Sequence, residues 1–185
     1  MCIDSQAHTT SQTKSAGNVK DRMAETTTGP FLASKMVLLY DPFDNWTYWK
    51  TDLGGGITNI NYVSPSQSAV ALSHYMIVNS TITLKDPINL TDKCGTTLEF
   101  YARVYTTNNH WFGIEASKDG INWDTIDHIS GDSNGWVKKE YDLKNYDNSP
   151  YLKIQFRLAS DGSTSPSSIY IDDVTISAFD RASVG

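Results

Sequence analysis

The chain has 185 residues, long enough for one domain with a substantial core plus an appendage. Its net charge of −6 excludes a nucleic-acid backbone or an anionic membrane as the natural partner, and no apolar run approaches the roughly 18 residues of a membrane span. Hydrophobic residues make up 39%, and ten Tyr and five Trp stand beside six Phe, which suits a β protein with wet aromatic surfaces.

Residues 1–35 are dominated by Ser, Thr, Gln, Lys and Asn, with Gly29-Pro30 near the end. Such a composition does not offset its own ordering entropy, so the segment is expected to be a polar N-terminal arm. Val19–Glu25 has the pattern of two helical turns at most. The start, Met1-Cys2-Ile3-Asp4, lacks the basic opening and apolar run of a secretory signal. The expectation is a chain used in the cytoplasm, processed, or released without the general secretion route, as in assembly into a virus particle. Cys2 and Cys94 lie far apart in no metal-like spacing and are expected to be two incidental thiols rather than a disulfide. Asn45, Asn79 and Asn89 each open an N-x-S/T triplet, which chance explains in a chain this rich in Asn, Ser and Thr.

The folded domain is expected from residue 36 to 179, with 180–185 as a tail. Val37–Tyr40 is the first strand, ended by Asp41-Pro42-Phe43-Asp44. Trp46 and Trp49 follow, then a turn at Gly54-Gly55-Gly56. Ile57–Val63 and Ala69–Leu72 are the next strands. Thr81–Leu84 alternates cleanly, and Pro87 points to an edge position or a split. In Thr97–Tyr105, Leu98, Phe100, Ala102 and Val104 share one face, opposite Glu99, Tyr101, Arg103 and Tyr105. In Trp111–Ala116, Phe112, Ile114 and Ala116 face in, opposite Trp111 and Glu115. Lys118-Asp119-Gly120 is a turn, Ile121–Ile126 a short strand carrying Trp123, and Gly131–Gly135 another turn. Trp136–Leu143 is a strand with a charged face. In Tyr151–Leu158, Leu152, Ile154, Phe156 and Leu158 face in. Asp161–Ser168 is a polar loop.

The last strand, Ser168–Ser177, breaks its own alternation. Ile169 and Ile171 share one face, and Val174 and Ile176 the other. Both pairs reach one core only if the register slips by a residue at Asp172–Asp173. That predicts a β-bulge there, or an inward carboxylate that needs a partner. About ten short strands, regular turns and no convincing helix indicate an all-β antiparallel sandwich of jelly-roll type with an extended N-terminal arm.

Several elements together resemble the MAM-like, concanavalin-type jelly rolls found as accessory domains of immune inhibitor A-type peptidases and as cleaved-adhesin domains. They are Asp41-Pro-Phe43-Asp44 with Trp49, Leu98–Tyr105, Glu115-Ala-Ser117-Lys-Asp119-Gly120-Ile-Asn-Trp123, Gly135-Trp136, Tyr141-Asp142-Leu143, Ile154-Gln-Phe156-Arg157 and Ile171-Asp172-Asp173-Val174-Thr-Ile176. The resemblance covers about three quarters of the chain and implies a non-catalytic adhesive or structural module. It also implies a structural cation, Ca²⁺ by its oxygen ligands, held by Asp41, Asp44 and one of Asp172 or Asp173. The alternative for the same residues is a bulge capped by Asp173 and an Asx-turn begun by Asp41.

No catalytic constellation emerges. Gly131-Asp132-Ser133-Asn134-Gly135 is like the surroundings of a serine nucleophile, but its composition is also that of a hairpin turn, and no partner motif surrounds His110 or His128. His8, His74, His110 and His128 lack metal-ligand spacing. Tyr101, Arg103, Tyr105 and Trp111 form a candidate glycan-binding or interface face, because aromatic rings stack on sugar C–H faces while polar groups bind hydroxyls. The expected function is a non-enzymatic decoration or structural protein of a virion or surface array, docked to other subunits by residues 1–35. The alternatives are a carbohydrate-binding or adhesion module for surface glycans and an accessory domain of a secreted hydrolase.

Overall fold

The computed structural model describes residues 34–52, 54–73, 79–107, 109–161 and 165–181. Most of the predicted arm and tail therefore lies outside the described residues, as do the Val19–Glu25 pattern, His8 and His74.

Among the described residues, eleven strands form two antiparallel sheets. They are β1 (Met36–Asp41), β2 (Trp49–Thr51), β3 (Gly55–Thr58), β4 (Ser68–Ser73), β5 (Asn79–Leu84) and β6 (Lys93–Tyr105), followed by β7 (Trp111–Ser117), β8 (Asp124–Ile129), β9 (Val137–Asp142), β10 (Lys153–Ala159) and β11 (Ser167–Asp180). Sheet I runs β3-β4-β11-β6-β9, with β1 also on β11; sheet II runs β2-β5-β10-β7-β8. A 3-10 turn, Lys144–Tyr146, is the one helical element among the described residues. This is the all-β antiparallel sandwich that the alternation predicts.

The core lies between the inner faces. Leu98, Phe100, Ala102 and Val104 of β6, with Ile169, Ile171, Val174 and Ile176 of β11, face Phe112 and Ile114 of β7 and Ile154, Phe156 and Leu158 of β10. Each of these side chains larger than alanine contributes about 1.5–3 kcal/mol by leaving water. Phe156 is the hub, its ring centroid 4.9 Å from Phe100, 5.4 Å from Trp49 and 6.0 Å from Phe112.

The bulge is where periodicity places it. Asp172 pairs with Tyr101 and Thr175 with Glu99, so Asp173 and Val174 together oppose Phe100. Asp173 takes φ of 51°, which turns the strand and returns Val174 and Ile176 to the core. The bulge also marks a change of neighbour along one edge of β11. Ser167–Ile171 pair with β4, and Val174–Ala178 pair with β1.

Four expectations need correction. The strand predicted over Ile57–Val63 stops at Thr58, because the following residues form a loop over sheet I. β5 is interior, flanked by β2 and β10; Pro87 falls beyond its end and constrains nothing in its ladder. The strand expected from Ile121 begins at Asp124, because Ile121 and Asn122 are held in a turn by Asp119. Cys94 is disulfide-bonded rather than an incidental thiol, with Cys2 outside the described residues.

Candidate functional site

The acidic residues separate into two groups. Asp41 begins the Asx-turn: its Oδ1 accepts the Phe43 backbone N–H at 2.8 Å, holding Phe43 at φ of 55° with its ring in the core. Its other oxygen is buried without a hydrogen bond, and burial raises its pKa; the Phe43 N–H and the Trp49 indole oppose that shift. Asp44 accepts only the Ser66 N–H, at 3.4 Å.

Asp172 and Asp173 are held by other partners. Asp172 Oδ2 accepts the N–H groups of Val63 (2.6 Å) and Ser64 (3.1 Å), and Oδ1 accepts the Asp173 N–H (2.8 Å). Asp173 Oδ1 accepts the Tyr40 hydroxyl (2.9 Å) and the Ser64 hydroxyl (2.8 Å). The bulge is therefore capped by Asp172, not Asp173. The pair pins the 59–67 loop where β4 gives way to β1. Burial lifts the Asp172 carboxyl to about 6. Among the described residues no group of three or more His, Cys, Asp or Glu is placed to hold a metal ion, so Asp41, Asp44, Asp172 and Asp173 are not gathered into one such cluster. Asp41 Oδ1, both oxygens of Asp172 and Asp173 Oδ1 are engaged by N–H and O–H donors.

The four residues of the predicted binding face also divide. Tyr101, Arg103 and Tyr105 stand on the outer face of sheet I, whereas Trp111 stands on the outer face of sheet II, on the opposite side of the sandwich. Alternation tells inside from outside for each strand, but not which sheet the strand joins. The sheet I group is partly occupied by its own chain. Arg103 Nη1 donates to Asn61 Oδ1 at 2.8 Å, and Trp136 packs edge-on against Tyr170, the cross-strand neighbour of Arg103.

The outer face of sheet II carries an open cleft of about 400 Å³. Cross-strand pairing sets its floor, because Lys50, Thr83, Gln155 and Glu115 lie opposite one another along β2, β5, β10 and β7. Thr83 donates to Gln155 Oε1 (2.8 Å), and Gln155 Nε2 donates to Glu115 (2.6 Å). Glu115 is gripped in turn by Arg157 through Nε (2.9 Å) and Nη2 (3.0 Å). This chain fixes which way the Gln155 amide points in the cleft. One wall is Thr51, Asp52 and Thr81, where both Asp52 oxygens are held by the Thr81 N–H and hydroxyl. The other is Lys153, Gly120 and Trp123.

Trp123 is delivered by the Ser117-x-Asp119-Gly120-x-x-Trp123 turn. Asp119 accepts the N–H groups of Ile121 (2.8 Å) and Asn122 (2.7 Å) and the Asn122 amide (2.7 Å). Those donors, the Asn122 amide foremost, hold its pKa well below the usual carboxylate range. Gly120 sits at φ of 74°, and a Cβ there would stand 2.6 Å from the Tyr151 hydroxyl, so the position demands glycine on both grounds. Trp111 lies further along the same face with its ring over Gly113, edge-on to His128. Sequence reasoning placed Trp123 in a strand; the signal that it belongs to a site was the turn motif ahead of it.

His110, beside the polar loop, is buried against Ser167 (2.7 Å), Ser160 (3.0 Å) and Asp161 (3.1 Å). Ser167 accepts the Thr107 N–H and is itself buried. These groups tie loops to the sandwich end, and Ser133 serves likewise, donating to the Gly135 carbonyl within its own turn.

No family model matches the chain, and no curated protein matches it in sequence. Solved structures match it by fold. The CBM22-1 xylan-binding domain from Paenibacillus barcinonensis Xyn10C aligns with a TM-score of 0.55 at 13% identity, covering 81% of this chain and 99% of that one. The K3 cleaved adhesin domain of Lys-gingipain from Porphyromonas gingivalis gives 0.56 at 15% identity, covering 76% and 99%. TmCBM61, solved in complex with β-1,4-galactotriose, gives 0.55 at 12% identity, covering 76% and 97%. At these identities the likeness is one of fold. It includes the cleaved-adhesin part of the resemblance drawn from sequence; no MAM domain is among these three.

Proposed function

We propose that this chain is a non-catalytic carbohydrate-binding or adhesion module, and that a saccharide lies in the cleft on the outer face of sheet II. The observation that carries this reading is the cleft's lining: an aromatic ring, Trp123, beside threonine hydroxyls and an oriented Gln155 amide on a rigid strand platform. Sugar rings need both an apolar surface for their C–H faces and fixed donors and acceptors for their hydroxyls. Carbohydrate-binding modules and a cleaved adhesin domain sharing the fold support it. The disulfide at Cys94 supports an oxidising location such as an extracellular surface. Docking through residues 1–35 to a virion or array has no comparable support, since residues 1–33 lie outside the described chain.

The test is a glycan array followed by titration of any hit against Trp123→Ala and Tyr105→Ala. Loss of about one stacking contact, on the order of tenfold in Kd, is expected for Trp123→Ala and no change for Tyr105→Ala. Retained binding in Trp123→Ala with loss in Tyr105→Ala would move the site to sheet I.

A further inference from the structure

We infer that the cleft on sheet II selects saccharides carrying an anionic substituent, a uronate carboxylate or a sulfate ester. The inference rests on the carbohydrate-binding reading above and adds the charge of the ligand.

Two ammonium groups face the cleft, Lys50 from β2 and Lys153 from β10. Neither makes an ion pair or hydrogen bond among the described residues. Other lysines are engaged, Lys93 with Asp180, Lys138 with Glu99, Lys144 with Asp142, and Lys118 over the Tyr146 ring, while Lys139 on β9 has no such partner among the described residues. β5 lies between the two cleft lysines and Lys153 is two residues from the position in register with Lys50, so their backbones stand about 12 Å apart. Side chains of that length reach a ring lying between them from either side.

The other charges facing the cleft do not cancel this pair. Asp52 is the one carboxylate in the lining, and both its oxygens are occupied by Thr81. Glu115, next along the floor, is matched by the forked Arg157 guanidinium. Two lysines against one carboxylate leave the lining net positive, in a chain whose net charge is −6. The two ammonium groups can donate to the hydroxyls of a neutral sugar. An anionic one gains charge-assisted hydrogen bonds there, while the acidic remainder of the surface repels the same ligand from other places.

The experiment is calorimetric titration of the full chain with three probes: a galacturonic acid oligosaccharide, its methyl ester, and a sulfated galactan oligosaccharide. Each is repeated with the Lys50→Gln/Lys153→Gln double variant and with Trp123→Ala. Both lysines are surface residues, so the double variant is expected to keep its melting temperature.

The expected result is that the acid or the sulfated probe binds at least tenfold tighter than the methyl ester. The double variant abolishes that preference, and raising salt from about 50 to 500 mM weakens it several-fold. Preference for the acid names a carboxylate site, and preference for the sulfated probe a sulfate site. If the methyl ester binds as tightly as the acid, with binding lost in Trp123→Ala, the charge inference is overturned and the carbohydrate reading stands. If neither Trp123→Ala nor the lysine variant changes binding of a probe that binds, both fall; if no probe binds, the charge inference is overturned and the carbohydrate reading is decided by the glycan array.

Discussion

Removing the charge of Glu115 tests whether the polar floor of the cleft is a connected unit. Glu115 is 5% exposed and accepts three hydrogen bonds, two from Arg157 and one from Gln155. Glu115→Gln keeps the shape but puts an amide N–H against a donor and leaves the guanidinium without its counter-charge. Breaking a fully buried ion pair costs about 3–5 kcal/mol. The Arg157 side chain is a quarter exposed and recovers part of its hydration, so the expected loss is about 2–3 kcal/mol. For a domain of this size that lowers Tm by about 6–12 °C in a thermal melt. The cycle is completed with Arg157→Met and with Glu115→Leu/Arg157→Met. The double variant removes both charges together, so it is expected to be less destabilised than the sum of the singles by more than about 1 kcal/mol. Additive losses, or a Glu115→Gln melt within about 1 °C of the wild type, would refute the connected floor.

Three further outcomes are expected. Burial holds the Asp172 carboxyl at about 6, above its ordinary 3.8. The folded state therefore takes up this proton before the unfolded state as pH falls. The stability carried by this group rises between about pH 7 and 4, by at most about 3 kcal/mol. Asp119 and Asp142 shift the opposite way, so the group is isolated by subtraction: the wild-type minus Asp172→Asn difference in Tm should grow as pH drops, and a constant difference would sink the claim. Because the Asp172–Asp173 latch is closed by N–H and O–H donors, a chelator should leave Tm unchanged, and a fall of more than about 3 °C would show a bound structural cation. Gly120→Ala should cost about 1–2 kcal/mol for the left-handed backbone alone, seen in a chemical melt, and should weaken glycan binding by displacing Trp123; an unchanged melt would show that the turn tolerates a Cβ.

Much of the fold was legible in the sequence because one physical rule wrote it. Buried and less buried residues alternate along β6, core-facing apolar residues recur at every second position of β7 and β10, and the break at Asp172–Asp173 marks the bulge that keeps β11 in the core. Alternation is silent on which sheet a strand joins. Tyr105 and Trp111 are six residues apart, both outward, yet the chain crosses from sheet I to sheet II between them. The cleft was hidden for the same reason, since Lys50, Thr83, Gln155 and Trp123 come from four distant segments brought together by cross-strand register. The break in alternation marks the Asp pair as a bulge or an inward carboxylate in need of a partner, but it does not name the partner. Val63 and Ser64 contribute backbone N–H groups, which no side-chain pattern announces.

That latch bears on where a ligand can lie. β11 changes partner at the bulge from β4 to β1, and the junction exposes backbone and two carboxylates that need donors. The 59–67 loop supplies them by folding over the outer face of sheet I, where Asn61 also takes up Arg103. Satisfying the bulge thus closes part of one face of the sandwich with the chain's own residues. In sheet II the register shifts only in the edge pair β7–β8, at Ile114/Glu115, among the described residues, and the central strands β5, β10 and β7 pair without a break. Its outer side chains satisfy one another laterally, through Thr83, Gln155, Glu115 and Arg157, and need no covering loop. The open cleft is on sheet II because the structural demand that closes sheet I is absent there.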